Sequence, residues 1–394
     1  MTEQDPTSIF LFTGEHSGDL HGAHLIEALH EHIPALNVSG VGGPSMREKG
    51  LDTFMDMENF QVMGFSDVIK AFPRIYFQYK KIVRHILETS PDAVICIDYP
   101  DFSLRLASML RKKGYQGKLI HYVCPSVWAW RSGRIKAMER ALDMLLVFFP
   151  FEKPYFSNTK LPVHYIGHPL ISTLSEYHYD PSWQELYNIP RDMEILGIFP
   201  GSRSSEIRYN LPVQLQAAHR LYKDTPSLHI ALSLSDEKHL SLVKKCLAAS
   251  PFSDEDAITI VPRKHTYELM RESHTALATS GTATLELALH KTPTVVGYHV
   301  TFMNWLIARC IFHLSLPYYC IVNIASGGEV FPECIHKHFT ADTIYEALTH
   351  LHHDTTHRTT CLEECHMLGL ELAMDDRPCN KAAKAIGDLV CSPE

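Results

Sequence analysis

The chain has 394 residues, 45% of them hydrophobic and 21% charged, and a formal net charge of −9 at pH 7. That length suits two domains of ordinary size better than a single core, and the composition is that of a soluble globular enzyme. The acidic balance argues against a nucleic-acid binder, whose surface needs an excess of Lys and Arg to neutralise phosphates.

The first residues, Met-Thr-Glu-Gln-Asp-Pro, are acidic where a secretion signal would be basic, so the protein is expected in the cytoplasm. Apolar runs then alternate with helical stretches. Strands are expected over Ile9 to Phe12, Ala93 to Ile97, Leu119 to Val123, Met144 to Phe149, Val163 to Ile166, Leu196 to Phe199, Leu228 to Leu232, Ile258 to Val261, Ala276 to Thr279 and Thr294 to Tyr298. Helices are expected between them, for example over His21 to His30, Phe102 to Lys113 and Tyr267 to Ser273. Continuous Val/Ile/Leu/Phe strands separated by helices describe parallel sheets covered on both faces. The expected class is therefore α/β, with two doubly wound, Rossmann-like domains facing one cleft and a polar junction over Ser172 to Pro190. The ten dispersed cysteines read as reduced thiols, not as a disulfide framework. The apolar region Val300 to Ala325 is interrupted by Asn304, Arg309, His313 and Pro317, so it is not expected to span a bilayer as one helix.

Ligands of doubly wound sheets bind beyond the carboxyl ends of the strands, so the residues after each strand carry the functional reading. After the first strand comes Gly14-Glu-His-Ser-Gly-Asp-Leu-His-Gly22, whose spacing is not the dinucleotide fingerprint. It reads either as a tight turn before a capped helix or as a phosphate or sugar contact through Ser17 and the Gly18 backbone. After Ala93 to Ile97 come two carboxylates. Asp101 reads as a cap for a helix starting at Phe102, whereas Asp98 has no such role and is the candidate general base. The next strand leads into Cys124-Pro-Ser-Val-Trp-Ala-Trp-Arg131, an aromatic pair that covers either a core edge or a sugar or acyl ligand. Arg131, Arg134, Lys136 and Arg140 follow, either as a solvated face or as partners for a phosphate.

In the second half, Pro200-Gly-Ser-Arg203 and Ser280-Gly-Thr-Ala-Thr-Leu-Glu286 both follow apolar strands and place small residues at helix starts. Together they suit a nucleotide diphosphate, with Arg203 neutralising charge and Glu286 accepting from ribose hydroxyls. The one Asp-x-Asp, Asp254-Glu-Asp256, reads as a solvated loop and not as a metal site. His357, Cys361 and Cys365 recur at helical spacing, but paired Cys-x-x-Cys spacing is absent, so no metal site is expected there either.

These motifs, with Phe149-Pro-Phe-Glu152 and Ile166-Gly-His168, occur in an order that resembles the lipid-A-disaccharide synthase family from near the N-terminus to about Glu333. The resemblance implies a GT-B type glycosyltransferase of lipid A biosynthesis. Its substrates would be UDP-2,3-diacylglucosamine and 2,3-diacylglucosamine 1-phosphate, and its products UDP and a β-1,6-linked disaccharide formed with inversion. It implies Asp98 and Arg203 in catalysis. Donor contacts would come from Gly201, Ser202, Arg203, Ser280, Gly281, Thr282, Thr284, Glu286, Asn323 and Glu333, and acceptor contacts from Ser17, Gly18, Asp101, Ser126, Trp128 and Arg131. No cofactor or metal is expected in the reaction. Gly328, His336 and Cys124 depart from the family's usual Arg, Gln and Ser, and extra residues occur around Tyr318 to Ile321.

On this reading residues 1–185 form the acceptor and membrane-facing domain and residues 186–345 the UDP-sugar domain. Helices over 346–394 cross back to the first domain or form a homodimer contact. Expected partners are acylated sugars and, peripherally, the cytoplasmic face of the inner membrane. Val62 to Phe77, rich in aromatics with Lys70, Arg74, Lys80 and Lys81 nearby, reads as a membrane contact or as a helix packed on the first domain. A UDP-sugar epimerase of similar architecture is the rival reading, and an exported sugar-binding protein a more distant one.

Overall fold

The computed structural model of the protein describes residues 6–60, 65–128, 133–252, 258–300 and 316–391. It contains two compact units, Met1–Thr173 with Leu372–Glu394, and Leu174–Glu371. Each is built on a parallel sheet with helical crossovers, the expected α/β class.

The first unit holds β1 (Thr7–Thr13), β2 (Leu36–Gly42), β3 (Asp52–Asp56), β4 (Ala93–Ile97), β5 (Lys118–Tyr122), β6 (Met144–Val147) and β7 (Val163–Tyr165), in the order β3-β2-β1-β4-β5-β6-β7. All five residues of β4 are buried, because both sheet faces are covered. Alternation divides the core accordingly. Phe10, Phe12, Val94 and Cys96 face one side, and Ile9, Leu11, Ile95 and Ile97 the other. The helix Pro378–Cys391 joins the second of these faces through Ala382, Ala383 and Ile386.

The second unit holds β8 (Glu194–Phe199), β9 (Leu228–Leu234), β10 (Ile258–Pro262), β11 (Thr275–Ala278), β12 (Thr294–Tyr298) and β13 (Glu333–Ile335), in the order β10-β9-β8-β11-β12-β13. The division between units falls after Thr173 instead of at 186. Glu268 explains this, because its carboxylate accepts from the Tyr177 hydroxyl at 3.1 Å and the Asp180 N–H at 3.0 Å, while Trp183 is buried in the second unit's core. The helices Ala341–His353 and Thr355–Leu372 lie almost wholly in this unit, so only the last helix of the tail belongs to the first.

In each sheet the chain reverses direction beside its first strand, between β1 and β4 and between β8 and β11. Such switch points open a crevice at the strands' carboxyl ends. Among the described residues no helix is long and apolar enough to cross a membrane.

The Ser17-Gly-Asp19 run shows how closely the first crevice is built. A Cβ on Gly18 would lie 2.1 Å from Thr13 Oγ1, so glycine lets the helix His16–His32 press onto β1. The next side chain, Asp19, is fully buried and accepts from the N–H groups of Gly43, Ser45 and Met46 at 2.8, 2.9 and 3.1 Å, satisfying the start of the helix Pro44–Glu48. Asp19→Ala strands those donors and is expected to lower stability by about 3 kcal/mol in urea unfolding. An unchanged midpoint would show that Asp19 does not hold this part of the fold.

Candidate active site

The carboxyl edge of the first sheet is strained where the candidate base sits. Asp98 and Tyr99 adopt left-handed backbone with φ of 53° and 54°, and Val123, a β-branched residue after β5, has φ of 78°. Such conformations cost of order 1–3 kcal/mol each and persist only where the surroundings impose them. Here the Asp98 N–H donates to the Tyr122 carbonyl at 2.9 Å, and the Ser103 hydroxyl donates to the Asp98 carbonyl at 2.8 Å. Burial raises the Asp98 carboxyl above its ordinary value, opposed by a hydrogen bond from the Tyr99 backbone. A carboxylate so placed is a stronger base than one in water.

Asp101 is not the cap that the sequence suggests. The helix begins two residues earlier than expected, at Pro100, because proline suits a first turn, and Tyr99 is its N-cap. Asp101 instead pairs with Arg134, whose side chain is 11% exposed, so this arginine does not belong to a solvated face. Ser17 is exposed in the first turn of its helix, whereas Gly18 is buried against β1 and serves packing. Ser126 is exposed and Trp128 half-buried. Arg131, residues 62–64 of the Val62 to Phe77 segment, Asp254 to Asp256 and residues 301–315 of the apolar region lie outside the described residues.

The sequence reading assigned no role to Glu152, which organises the aromatic loop. Its Oε2 accepts from the Phe148 and Phe149 N–H groups at 3.2 and 3.0 Å, and its carboxyl bonds the Trp128 indole and the Cys124 thiol. The Trp128 ring also meets Phe151 edge-on, with centroids 5.7 Å apart. Trp128 is thus fixed by the Phe149-Pro-Phe-Glu152 turn. Burial pushes the Glu152 carboxyl up to about 7 against those donors. His21 and His168 flank Phe148, and burial pushes each down to about 4, so both are neutral near pH 7.

In the second unit a pocket of about 950 Å³ opens at the β8/β11 switch point. It brings together Gly201, Ser202, Arg203, Ser280, Gly281, Thr282 and Glu286, all expected on the donor side. The two loops meet because β8 and β11 are neighbours, although their residues are far apart in sequence. Gly201 has φ of +111°, and a Cβ there would meet Glu206 Oε2 at 2.6 Å, so only glycine fits. Glu206 accepts from the Ser202 and Arg203 N–H groups at 3.0 and 3.2 Å and from the Arg203 guanidinium at 2.8 Å. Those two N–H groups are therefore taken up by Glu206 at the start of the helix Ser204–Asp224. What the loop presents is the Arg203 side chain, 78% exposed. Arg263 and Lys264, missed in the sequence, add cationic groups from the end of β10. The carboxyl-end rule alone could have found them. Glu286 lies on the wall, where burial raises its carboxyl and Tyr267 donates to it at 3.2 Å.

Thr284, Asn323 and Glu333 do not line this pocket. Thr284 donates to the Gly281 carbonyl at 2.7 Å. Asn323 is buried, accepts from the Val330 and Phe331 N–H groups, and donates to Glu333 at 2.9 Å. Glu333 accepts from the Tyr319 and Cys320 N–H groups, at 2.9 and 2.8 Å for the shorter contacts. This pair folds the loop whose Tyr319 carbonyl accepts from the Ser280 hydroxyl at 3.4 Å. Both residues are tied to the pocket through that loop.

A family model described as lipid-A-disaccharide synthetase matches residues 9–386. Lipid-A-disaccharide synthases of Chlamydia trachomatis serovar D and Chlamydia pneumoniae are 39% and 42% identical over 343 and 345 residues, covering 86% and 87% of this chain and 56% of each relative. That of Idiomarina loihiensis is 35% identical over 352 residues, covering 89% of this chain and 91% of its own. The chain therefore spans little more than half the length of the chlamydial relatives that it matches. Among solved structures, a UDP-GlcNAc 2-epimerase of Neisseria meningitidis bound to UDP-GlcNAc is similar with a TM-score of 0.55 and 12% identity, over 98% of this chain and 100% of that one. The glycosyltransferase of kitacinnamycin is similar with a TM-score of 0.61 and 14% identity, over 98% and 99%. Identities this low express a common fold alone, so the epimerase reading rests on architecture only.

The raised Glu152 carboxyl makes a signed prediction. Between its ordinary value of 4.5 and about 7 the folded state holds a proton that the unfolded state has lost. Its contribution to stability is complete below 4.5 and is lost as pH rises through 7. Glu152→Gln is expected to flatten the fall in urea midpoint across that window. An unaltered slope would contradict the assignment.

Proposed function

The chain belongs to the lipid-A-disaccharide synthetase family, and on that premise we propose that it is an inverting glycosyltransferase of lipid A biosynthesis. Its donor is UDP-2,3-diacylglucosamine, its acceptor 2,3-diacylglucosamine 1-phosphate, and its products are the β-1,6-linked disaccharide 1-phosphate and UDP. The observation that carries this reading is the pocket in the second unit, where Arg203, Arg263 and Lys264 surround small-residue loops at the switch point. A nucleoside diphosphate needs such a cationic, concave site. The Neisseria epimerase of like fold is bound to UDP-GlcNAc.

In the proposed reaction Asp98 takes the proton from the acceptor hydroxyl. The oxygen attacks the anomeric carbon on the face opposite UDP, and the bond to UDP breaks with its electron pair leaving on the phosphate. Configuration inverts because one displacement occurs. Arg203 and Arg263 stabilise the charge that develops on UDP, so the reading assigns no metal or cofactor to the chemistry. Glu152, saturated by its own donors, positions Trp128 and is not the base.

The same reading puts the protein peripherally on the cytoplasmic face of the inner membrane, where its acylated substrates reside. The helix Phe65–Thr89 supports it, because Tyr76 and Phe77 are 50% and 58% exposed. Lys80 and Lys81 stand over their rings at 4.6 and 4.7 Å. Exposed aromatics beside lysines suit an anionic lipid surface. Ile75 packs on the core instead.

Asp98→Asn is expected to lower kcat by about a hundredfold or more while UDP binding, followed by calorimetry, is unchanged. Full turnover would remove Asp98 from the chemistry. Arg203→Ala is expected to weaken UDP binding about ten- to a hundredfold, in line with loss of a charge-assisted contact. Equal affinity would move the diphosphate elsewhere. Combined Tyr76→Ser and Phe77→Ser changes are expected to reduce flotation with anionic liposomes, and flotation like that of the parent chain would clear this helix of membrane contact.

A further inference from the structure

At the opposite end of the second sheet from the pocket, three side chains converge that the proposed reaction does not use. Glu194 is the first residue of β8, His274 directly precedes β11, and His352 lies in the last turn of the helix Ala341–His353. Glu194 Oε2 is 3.1 Å from His352 Nε2, and Glu194 Oε1 is 3.8 Å from His274 Nδ1. The ligand atoms of all three lie within 4.8 Å of one another. Tetrahedral bonds of about 2.0–2.2 Å would separate neighbouring ligand atoms by roughly 3.3–3.6 Å, so closing on an ion needs shifts of about 1 Å or less.

The outer partners fix which ring atoms face inward. His274 Nε2 lies 3.3 Å from the His352 carbonyl, which only accepts, so that nitrogen carries the proton and Nδ1 turns its lone pair toward Glu194. His352 Nδ1 meets the buried Thr275 hydroxyl at 3.2 Å, leaving Nε2 toward the same carboxylate. Rings held by a carbonyl or hydroxyl on the far nitrogen are the arrangement by which proteins orient metal-ligating histidines. Both inward nitrogens thus face the one carboxylate, as ligands of a single ion would.

We propose that Glu194, His274 and His352 bind a zinc-class divalent cation, with water as the fourth ligand, fastening the end of the helix Ala341–His353 to the amino-terminal edge of the second sheet. Two imidazoles and a carboxylate match the borderline softness of zinc. The His352 side chain is 1% exposed, but His274 and Glu194 are 27% and 42% exposed, which gives the ion a path and the water a place. The role is structural. Five residue steps along β8 take Glu194 to Phe199 at the pocket, roughly 16 Å at a strand rise of about 3.3 Å per residue. The second group of adjacent donors, His350, Asp354 and His357, is largely exposed, and His357 already pairs with Asp354 at 2.9 Å. It serves as the internal control. Cys361 and Cys365, buried free thiols hydrogen-bonded to each other, do not join His357 in a ligand set.

The test uses the 394-residue chain stripped with a strong chelator and titrated with Zn²⁺ against a chromophoric indicator, with Co²⁺ as a spectroscopic substitute. The expected result is one tight equivalent, a Tm raised by zinc, and a cobalt d–d spectrum without a thiolate charge-transfer band. Glu194→Gln and His274→Gln, both at partly exposed positions, should each weaken binding by about tenfold or more and abolish the Tm shift. The control His350→Ala with His357→Ala should keep both. Sub-stoichiometric binding, binding that survives Glu194→Gln, a thiolate band, or loss of binding in the control variant would each overturn the proposal.

Discussion

Parallel pairing delivers the carboxyl end of every strand to one edge of its sheet, and the chemistry of this protein depends on that constraint. In the first unit it sets Asp98 at the end of β4, beside the loop that follows β1. In the second it brings Pro200–Arg203 and Ser280–Glu286 into one pocket because β8 and β11 are paired. The backbone turns sharply there. Asp98, Tyr99 and Val123 hold left-handed conformations, imposed at Asp98 and Val123 by hydrogen bonds to neighbouring strands. Fixing the Asp98 backbone in this way gives its short side chain a set direction.

A second principle is that several motif carboxylates are spent on the chain itself. Asp19 caps a helix, Glu206 closes the Gly201 loop, Glu333 folds the segment against Ser280, and Glu152 collects four donors around Trp128. Each satisfies backbone N–H groups that would otherwise be left open at a turn. Among the described residues, Arg203, Arg263, Lys264 and Glu286 line the pocket of the second unit, and Asp98, whose carboxyl burial raises, ends β4 in the first.

How much of this was legible in the sequence follows from the same distinction. Uninterrupted apolar strands such as β4 and β12 were read to the residue, and the switch-point loops were visible because a strand, glycine and helix occur in succession. β2 escaped because Asn37, Ser39, Gly40 and Gly42 break its apolar pattern, although Gly40 is required where a Cβ would sit 1.9 Å from the Leu11 carbonyl oxygen. β3 and β13 are short edge strands, β3 with Asp at both ends and β13 only three residues from Glu333. In the site, residue type revealed which side chains matter but not which way they face. Thr284, Asn323 and Glu333 look like ligand contacts in sequence and turn out to bond the backbone. Arg263 and Lys264 carried no glycine signal, and only their place at the carboxyl end of β10 marks them.

The proposed function is one catalytic event, transfer of an acylated glucosamine from UDP to a second lipid with inversion. The most direct measurement is incubation of the purified chain with UDP-2,3-diacylglucosamine and 2,3-diacylglucosamine 1-phosphate in detergent micelles, with UDP quantified and the new linkage assigned by NMR. The account predicts one UDP per disaccharide and a β-configured 1,6 linkage. An α linkage, or consumption of the UDP-sugar to an epimer without any disaccharide, would contradict it.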